Sequence, residues 1–577
     1  VGAAFLLLTN AINAAIPELV QRTIDAVGER QALGDWVLFP VLVGVMALAV
    51  IVTRTLSRIL FFNPGRTVEF RLKNDFFRKL LRMPPAFFAQ YGTGELISRG
   101  TNDMTSVRSI IGFASLQLFN VVVAITFTVA QMLRIDATLT LMCAAPFVAG
   151  VFVMRLGIRA LLVRFRKAQD QIAKLSDTIL EAYSGVNVVQ AFCAHREFDR
   201  RFDERNEAFV DTFREMALIR AFALPVVVVI GSTCLVLLLV RGGARVIEGD
   251  LTLGQVAAYA SYLGMLVSSL QSTGWVINSI QRGLVSLDRV YDVLDAPMPP
   301  EAVGADDERL GSDGRVSLHA RDLTVRYPDP VHPDQFREVL SQIRLAVPPG
   351  GTLGVFGPTG SGKSTLVSSI VRILYPPPGT VFWDERDVLE IPSRPLRGAI
   401  AVVPQDAYLF SRSLRENIGF SDVAKEIDEA RLNAAVKAAC LEEDIARFPQ
   451  GLDTPVGERG VTLSGGQRQR VALARAFYRD FSVLVLDDVL SAVDHNTERR
   501  LIDAIRARAS TTTTVIVSHR ISALVDADWV VVLEGGRISL QGTHAELIAQ
   551  PGVYRDTWDY QVSRTDGALV AATGGAV

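Results

Sequence analysis

The chain has 577 residues, 49% of them hydrophobic, and a formal net charge of −2. Such a length suggests several domains, and a mean hydropathy of +0.28 is too high for an ordinary soluble enzyme. Residues 1–295 carry 29 Lys and Arg against 24 Asp and Glu, and residues 296–577 carry 30 against 37. Neither half has the basic excess of a nucleic-acid binder, so no nucleic-acid partner is expected. The four cysteines (Cys143, Cys193, Cys234, Cys440) are far apart and form no C-x-x-C pair, so no zinc site or disulfide framework is implied.

Six apolar runs reach the roughly 20 residues needed to span a bilayer. They cover Val1–Val20, Trp36–Phe62, Gly112–Leu133, Ala137–Val163, Leu218–Val240 and Leu253–Val285. The first run opens with neither Met nor a basic flank, which reads as a sequence lacking its true N-terminus and not as a signal peptide. Connections after runs one, three and five are short: "GERQALGD", "RID" and "RGGARVIEGD". Those after runs two and four are about 50 residues long. They hold most of the basic residues, among them Arg66, Arg71, Lys73, Arg164, Lys167 and Arg200. By the positive-inside rule both long connections are cytoplasmic. They are rich in helix formers and lack proline over long stretches, so the spans are expected to continue below the membrane as helical stalks. Polar residues at membrane depth include Asn10, Asn13, Glu18, Arg54, Arg58, Gln117, Asn120, Gln131, Gln271, Ser272, Thr273, Asn278 and Gln281. Each either faces a cavity or glues helices together, and Arg54 and Arg58, closer to the cytoplasmic end, have snorkelling to the interface as a further alternative.

Residues 296–314 are rich in Pro, Gly and Asp and lack periodicity, which marks a linker. From Arg315, short β-rich runs alternate with helical segments, as in an α/β domain with a largely parallel sheet. "GPTGSGKST", Gly357–Thr365, follows the run "GTLGVF" and precedes "LVSSIVRIL". That order of strand, glycine loop and helix cradles phosphates: Gly357, Thr359, Gly360, Ser361, Gly362 and Thr365 let backbone N–H groups approach them. Lys363 reaches the terminal phosphates of ATP and Ser364 can ligate Mg²⁺. "SVLVLDD" sets Asp487 at the C-terminal end of a buried strand, where it can hold the Mg²⁺ shell. The Gly/Ala-rich residues 563–577 are expected to form a flexible tail.

"LSGGQRQRVALARA", Leu463–Ala476, just upstream of "VLVLDD", resembles the signature of ATP-binding-cassette (ABC) proteins. Other pieces match in order. Tyr327 resembles the aromatic that stacks on adenine, and Gln405 the glutamine that senses Mg²⁺. Gly457–Gly460 resembles a loop that touches the coupling helices, and Ser491–Asp494 the loop that crosses the dimer interface. His519 resembles the histidine near the γ-phosphate, and Leu463, Ser464, Gly465, Gly466 and Gln467 would bind the nucleotide held by a second chain. Tyr91–Met104 and Ala182–Phe202 resemble coupling-helix regions of exporters. The resemblance implies a multi-domain membrane protein. An all-α six-helix transmembrane domain (1–295) with long cytoplasmic extensions would join, through the linker, an α/β P-loop ATPase domain (315–562). It would sit in the inner (plasma) membrane with its nucleotide-binding domain in the cytoplasm.

The residue after the Mg²⁺-linked aspartate is normally glutamate in this family, and here it is Asp488. Its carboxylate is one methylene shorter, and a misplacement of about 1 Å can cost on the order of 10²-fold in rate. The resemblance therefore implies one half of a heterodimer. This chain's own site would bind ATP and hydrolyse it poorly, while its signature completes the partner's site. A slow homodimer is the alternative at that point. The expected activity is ATP-driven export of amphipathic drugs, lipids or peptides. An importer on the same fold, for example for a siderophore, and an ATP-gated channel are the other classes.

Overall fold

The computed structural model describes residues 1–29, 36–299, 310, 315–328, 335–422, 426–457, 463–489, 495–509 and 511–573. Contacts divide the chain into two compact units: Val1–Leu81 with Gly92–Ala296, and Arg82–Tyr91 with Pro297–Val577.

Among the described residues of the first unit, six helices are long and apolar enough to cross a membrane. Leu38–Leu80, Ala137–Ser184 and Leu253–Leu294 run for 43, 48 and 42 residues. At 1.5 Å per residue each is about 65 Å long or more, twice the roughly 30 Å hydrocarbon core, so stalk and span are one helix. Pro17, Pro64, Pro146 and Pro225 sit inside these helices. Neighbouring helices can re-satisfy the backbone groups that proline frees. Several of the polar residues act as glue. Asn10 donates to Asn120 at 3.0 Å, Thr9 pairs with Thr53 at 2.8 Å, and the Tyr262 hydroxyl donates to the Ala14 carbonyl at 2.7 Å. Cys143 and Cys234 are buried in one apolar cluster with Met132, Leu139, Ile230 and Tyr259, where they serve as small hydrophobes. In the stalks, buried Asp103 accepts from Ser286 at 2.8 Å and from Arg289 at 2.7 Å, which ties the third helical run to the sixth. Between the second and third runs two short helical segments form, Pro85–Gln90 just ahead of the expected Tyr91–Met104 stretch and Thr93–Ser98 inside it. Between the fourth and fifth runs, the short helix Val186–Ala191 falls inside Ala182–Phe202.

Among its described residues the second unit has two sheets. β1 (Leu318–Pro328), β2 (Phe336–Val347), β4 (Val381–Trp383) and β5 (Arg386–Asp387) form an antiparallel sheet of order β2-β1-β4-β5. The other sheet contains β3 (Thr352–Phe356), β6 (Ile400–Val403), β7 (Val483–Asp487), β8 (Thr513–Val517), β9 (Trp529–Glu534) and β10 (Arg537–Gly542). Its order is β10-β9-β3-β8-β7-β6, parallel from β9 to β6 and closed by an antiparallel hairpin. β3, β7 and β8 are buried on both faces, as a parallel sheet requires, and the buried Thr513 and Thr514 of β8 sit among apolar residues. A final helix runs Val553–Thr573. It extends into residues 563–573 of the stretch expected to be a flexible tail.

Candidate nucleotide site

β3 ends at Phe356, the chain turns through Gly357–Gly362, and the helix Lys363–Ile370 begins. Two glycines are required by this turn. Gly357 has φ +156°, and a Cβ there would lie 2.3 Å from the Leu533 carbonyl oxygen. Gly362 has φ +101°, and its Cβ would meet Leu340 Cδ2 at 2.7 Å. Lys363 Nζ donates to the carbonyls of Gly357 (2.7 Å) and Pro358 (2.8 Å), which holds the ammonium over the loop. Burial pushes its pKa down, opposed by the nearby charges of Asp488 and Asp487. Ser361 is buried, and its Oγ has no hydrogen-bond partner. A phosphate oxygen cannot donate to it, but it can accept from this hydroxyl, so the loop fits a phosphate chain.

β7 delivers Asp487 at its last position, paired with Val517 of β8. Burial raises the Asp487 pKa, a hydrogen bond from Ser364 lowers it, Asp488 raises it and Lys363 lowers it. Ser364 and Asp487 therefore share one oxygen-rich spot beside the loop. Together with Gln405 they are suited to Mg²⁺, a hard cation that prefers a few oxygen ligands plus water and phosphate. The ion would neutralise charge on the phosphates when bound.

Asp488 stands at φ +52°, with its N–H donating to the Val517 carbonyl at 2.9 Å. Its carboxylate lies 2.7 Å from Nδ1 of His519. Asp488 is mostly buried and His519 half-exposed, so the carboxylate is drawn onto the ring at the mouth of the site.

A cleft of about 1120 Å³ gathers Gly357, Thr359, Gly360, Gly362, Lys363, Ser364, Thr365, Gln405, Asp487, Asp488 and His519. Other expected residues lie elsewhere. Tyr327, next to last in β1, lines a separate groove of about 520 Å³ with Ser368, Ile373, Leu374 and Tyr375. Leu463 is buried, while Ser464 caps the helix Gly465–Tyr478 outside the cleft. Ser464 Oγ accepts from the Gln467 N–H at 3.2 Å, and Gln467 Oε1 accepts from the Ser464 N–H at 2.9 Å. Ser464 and Gly465 are exposed, and a Cβ on Gly465 would meet nothing within 4 Å. Ser491 and Asp494, and the 458–460 part of the Gly457–Gly460 loop, lie outside the described residues.

The sequence reading missed part of the cleft wall. Glu498, Arg520 and Ser522 flank the His519 loop, and Thr557, Trp558 and Gln561 of the final helix line the cleft. No local motif marks these positions, because they arrive from distant segments.

Six membrane-length helices joined to a P-loop cassette define an ATP-driven membrane transporter. Residues 1–270 match the family of the ABC transporter transmembrane region, and residues 340–491 the family described as ABC transporter. The chain is 32% identical to the "Probable multidrug resistance ABC transporter ATP-binding/permease protein YheI" of Bacillus subtilis, over 97% of this chain and 94% of that one. It is 31% identical to the multidrug resistance-like ATP-binding protein MdlA of Escherichia coli, covering 97% and 93%. It is also 31% identical to the ATP-dependent lipid A-core flippase of Chromohalobacter salexigens, covering 94% and 92%. The structure of a bacterial Atm1-family ABC exporter with ATP bound superposes with a TM-score of 0.79 at 25% identity, covering 97% of each chain. The chain belongs to the ABC transporter family. It is a multi-pass half-transporter of exporter type and an ABC-type ATPase and translocase.

Proposed function

We propose that this chain is one half of a heterodimeric exporter of amphipathic molecules, drugs or lipids, and that its own ATP site holds nucleotide but hydrolyses it slowly. The observation that carries the reading is the Asp488 carboxylate, one methylene short of glutamate and engaged 2.7 Å from His519 Nδ1. Phosphoryl transfer depends on positioning and electrostatics, and a carboxylate bound to the histidine is poorly placed to polarise an attacking water. The partner would carry the competent glutamate. The exposed start of the helix Gly465–Tyr478, with Ser464–Gln467, would close over the partner's γ-phosphate, where the helix field and the N–H groups of Gly465 and Gly466 favour an anion. The adenine of ATP would reach Tyr327 at the edge of the cassette, and Ser491–Asp494 would cross the interface. Export agrees with the names of the multidrug and flippase relatives, and placement in the inner membrane with the cassette cytoplasmic rests on the basic long connections.

The test is the subunit composition of the detergent-extracted complex, with this chain tagged in its own host. Recovery with a different half-transporter bearing glutamate after its Mg²⁺-linked aspartate is the expected result. Recovery as two identical chains overturns the asymmetric mechanism and leaves a slow homodimer.

A further inference from the structure

The loop that presents His519 is held from two sides. On one side stands Glu498, buried in the helix His495–Ala509. It accepts from Arg520 Nη1 at 2.6 Å and from Ser522 Oγ at 2.9 Å. On the other side stands Gln561 of the final helix. Its Nε2 donates to the His519 carbonyl at 3.0 Å, and its Oε1 accepts from the Ile521 N–H at 3.0 Å. One primary amide thus satisfies two main-chain groups of the histidine loop. A primary amide is the side-chain group that can do both at once, being donor and acceptor in one plane.

The helix that carries Gln561 is itself anchored at the cleft. Tyr554 is fully buried and packs edge-on against Phe356, with ring centroids 5.2 Å apart. Phe356 is the last residue of β3, directly before Gly357. The Tyr554 hydroxyl also pairs with His544 Nδ1 at 2.9 Å, and Trp558 meets the same ring at 4.9 Å. The final helix therefore touches the strand that feeds the phosphate loop and grips the backbone that aims His519. A rigid link between those two places sets the distance from the imidazole to the phosphate-binding loop.

We propose that Gln561 is a positioning residue for His519, setting the imidazole against the nucleotide through the backbone of residues 519–521. The proposal rests on the reading that His519 acts at the γ-phosphate. Loss of both hydrogen bonds frees the loop, and because Gln561 also lines the cleft, a direct contact with ATP would register in KM.

The test uses the full complex in lipid nanodiscs with Gln561→Met, which keeps the shape and loses both hydrogen bonds, alongside His519→Ala and the double variant. Two quantities are read: ATP turnover, and retention of radiolabelled 8-azido-ATP photo-cross-linked to this chain. Gln561→Met is expected to change turnover or retention between roughly 10- and 100-fold, the scale of a displacement near 1 Å, with KM unmoved. The change should vanish in the His519→Ala background, because residues acting through one group are not additive. An equal change in that background, or one that tracks KM or the unfolding midpoint, overturns the positioning role. So does an unaltered Gln561→Met complex when His519→Ala is altered. If His519→Ala itself leaves both quantities unmoved, the γ-phosphate reading falls first and the inference with it.

Discussion

Lengthening Asp488 by one methylene should accelerate hydrolysis at this chain's own site. In the structure its Oδ1 is engaged 2.7 Å from His519 Nδ1, at a backbone fixed by the Val517 hydrogen bond. Asp488→Glu adds one carbon–carbon bond, about 1.5 Å of reach, from the same Cα. A shift of that size corrects a misplacement that costs on the order of 10²-fold, equivalent to about 2.7 kcal/mol of barrier. The backbone opposes the change slightly. Asp488 sits at φ +52°, a region in which Asp is enriched several-fold over residues such as Glu, a preference of about 0.6 kcal/mol. The kinetic gain exceeds the local cost, so a faster and marginally less stable protein is expected. The assay is single-turnover hydrolysis of ATP pre-bound to this chain, with thermal unfolding measured in parallel. A folded Asp488→Glu complex whose hydrolysis and nucleotide residence match the wild type would refute the reasoning.

Gly362→Ala should destabilise the cassette by at least about 1–2 kcal/mol, the cost of a left-handed backbone for an L-residue. The new Cβ would also meet Leu340 Cδ2 at 2.7 Å and the Val339 carbonyl at 3.0 Å. Denaturant unfolding checks this, and an unchanged midpoint would show that the loop adapts. Docking of the final helix should weaken in acid. Burial holds the His544 pKa below its usual value, against the opposing charge of Asp526. A depressed histidine contributes stability above its unfolded pKa of about 6.5 and loses it as pH falls through the folded value. Hydrogen exchange across residues 553–562 should therefore speed up below about pH 6, beyond its intrinsic pH dependence. His544→Asn should remove that dependence, and a variant with the same acid response would place its origin elsewhere.

Much of the molecule was legible because its signals are local. An apolar run of about 20 residues crosses a bilayer wherever it falls, and proline-free stretches of good helix formers extend it. Strand, glycine loop and helix are contiguous from Thr352 to Ile370, so the phosphate cradle could be read from the order of residues alone. Asp488 was equally plain, since its departure from glutamate lies in one side chain.

What the sequence by itself determined is the set of parts: six spans with their stalks, and a cassette whose phosphate loop and acidic strand end follow from short contiguous patterns. Only the tertiary structure decided which parts meet. It brought Asp488 onto His519 from 31 residues away, and Gln561 onto the same loop from 42 residues away. It set Tyr327 in a separate groove and left Ser464 and Gly465 outside this chain's own cleft. It joined Asn10 to Asn120 across two helices. The physical reason is that strand order in a parallel sheet, and the hydrogen bonds made between distant loops, depend on how the whole chain buries its apolar surface. No window of neighbouring residues encodes that result.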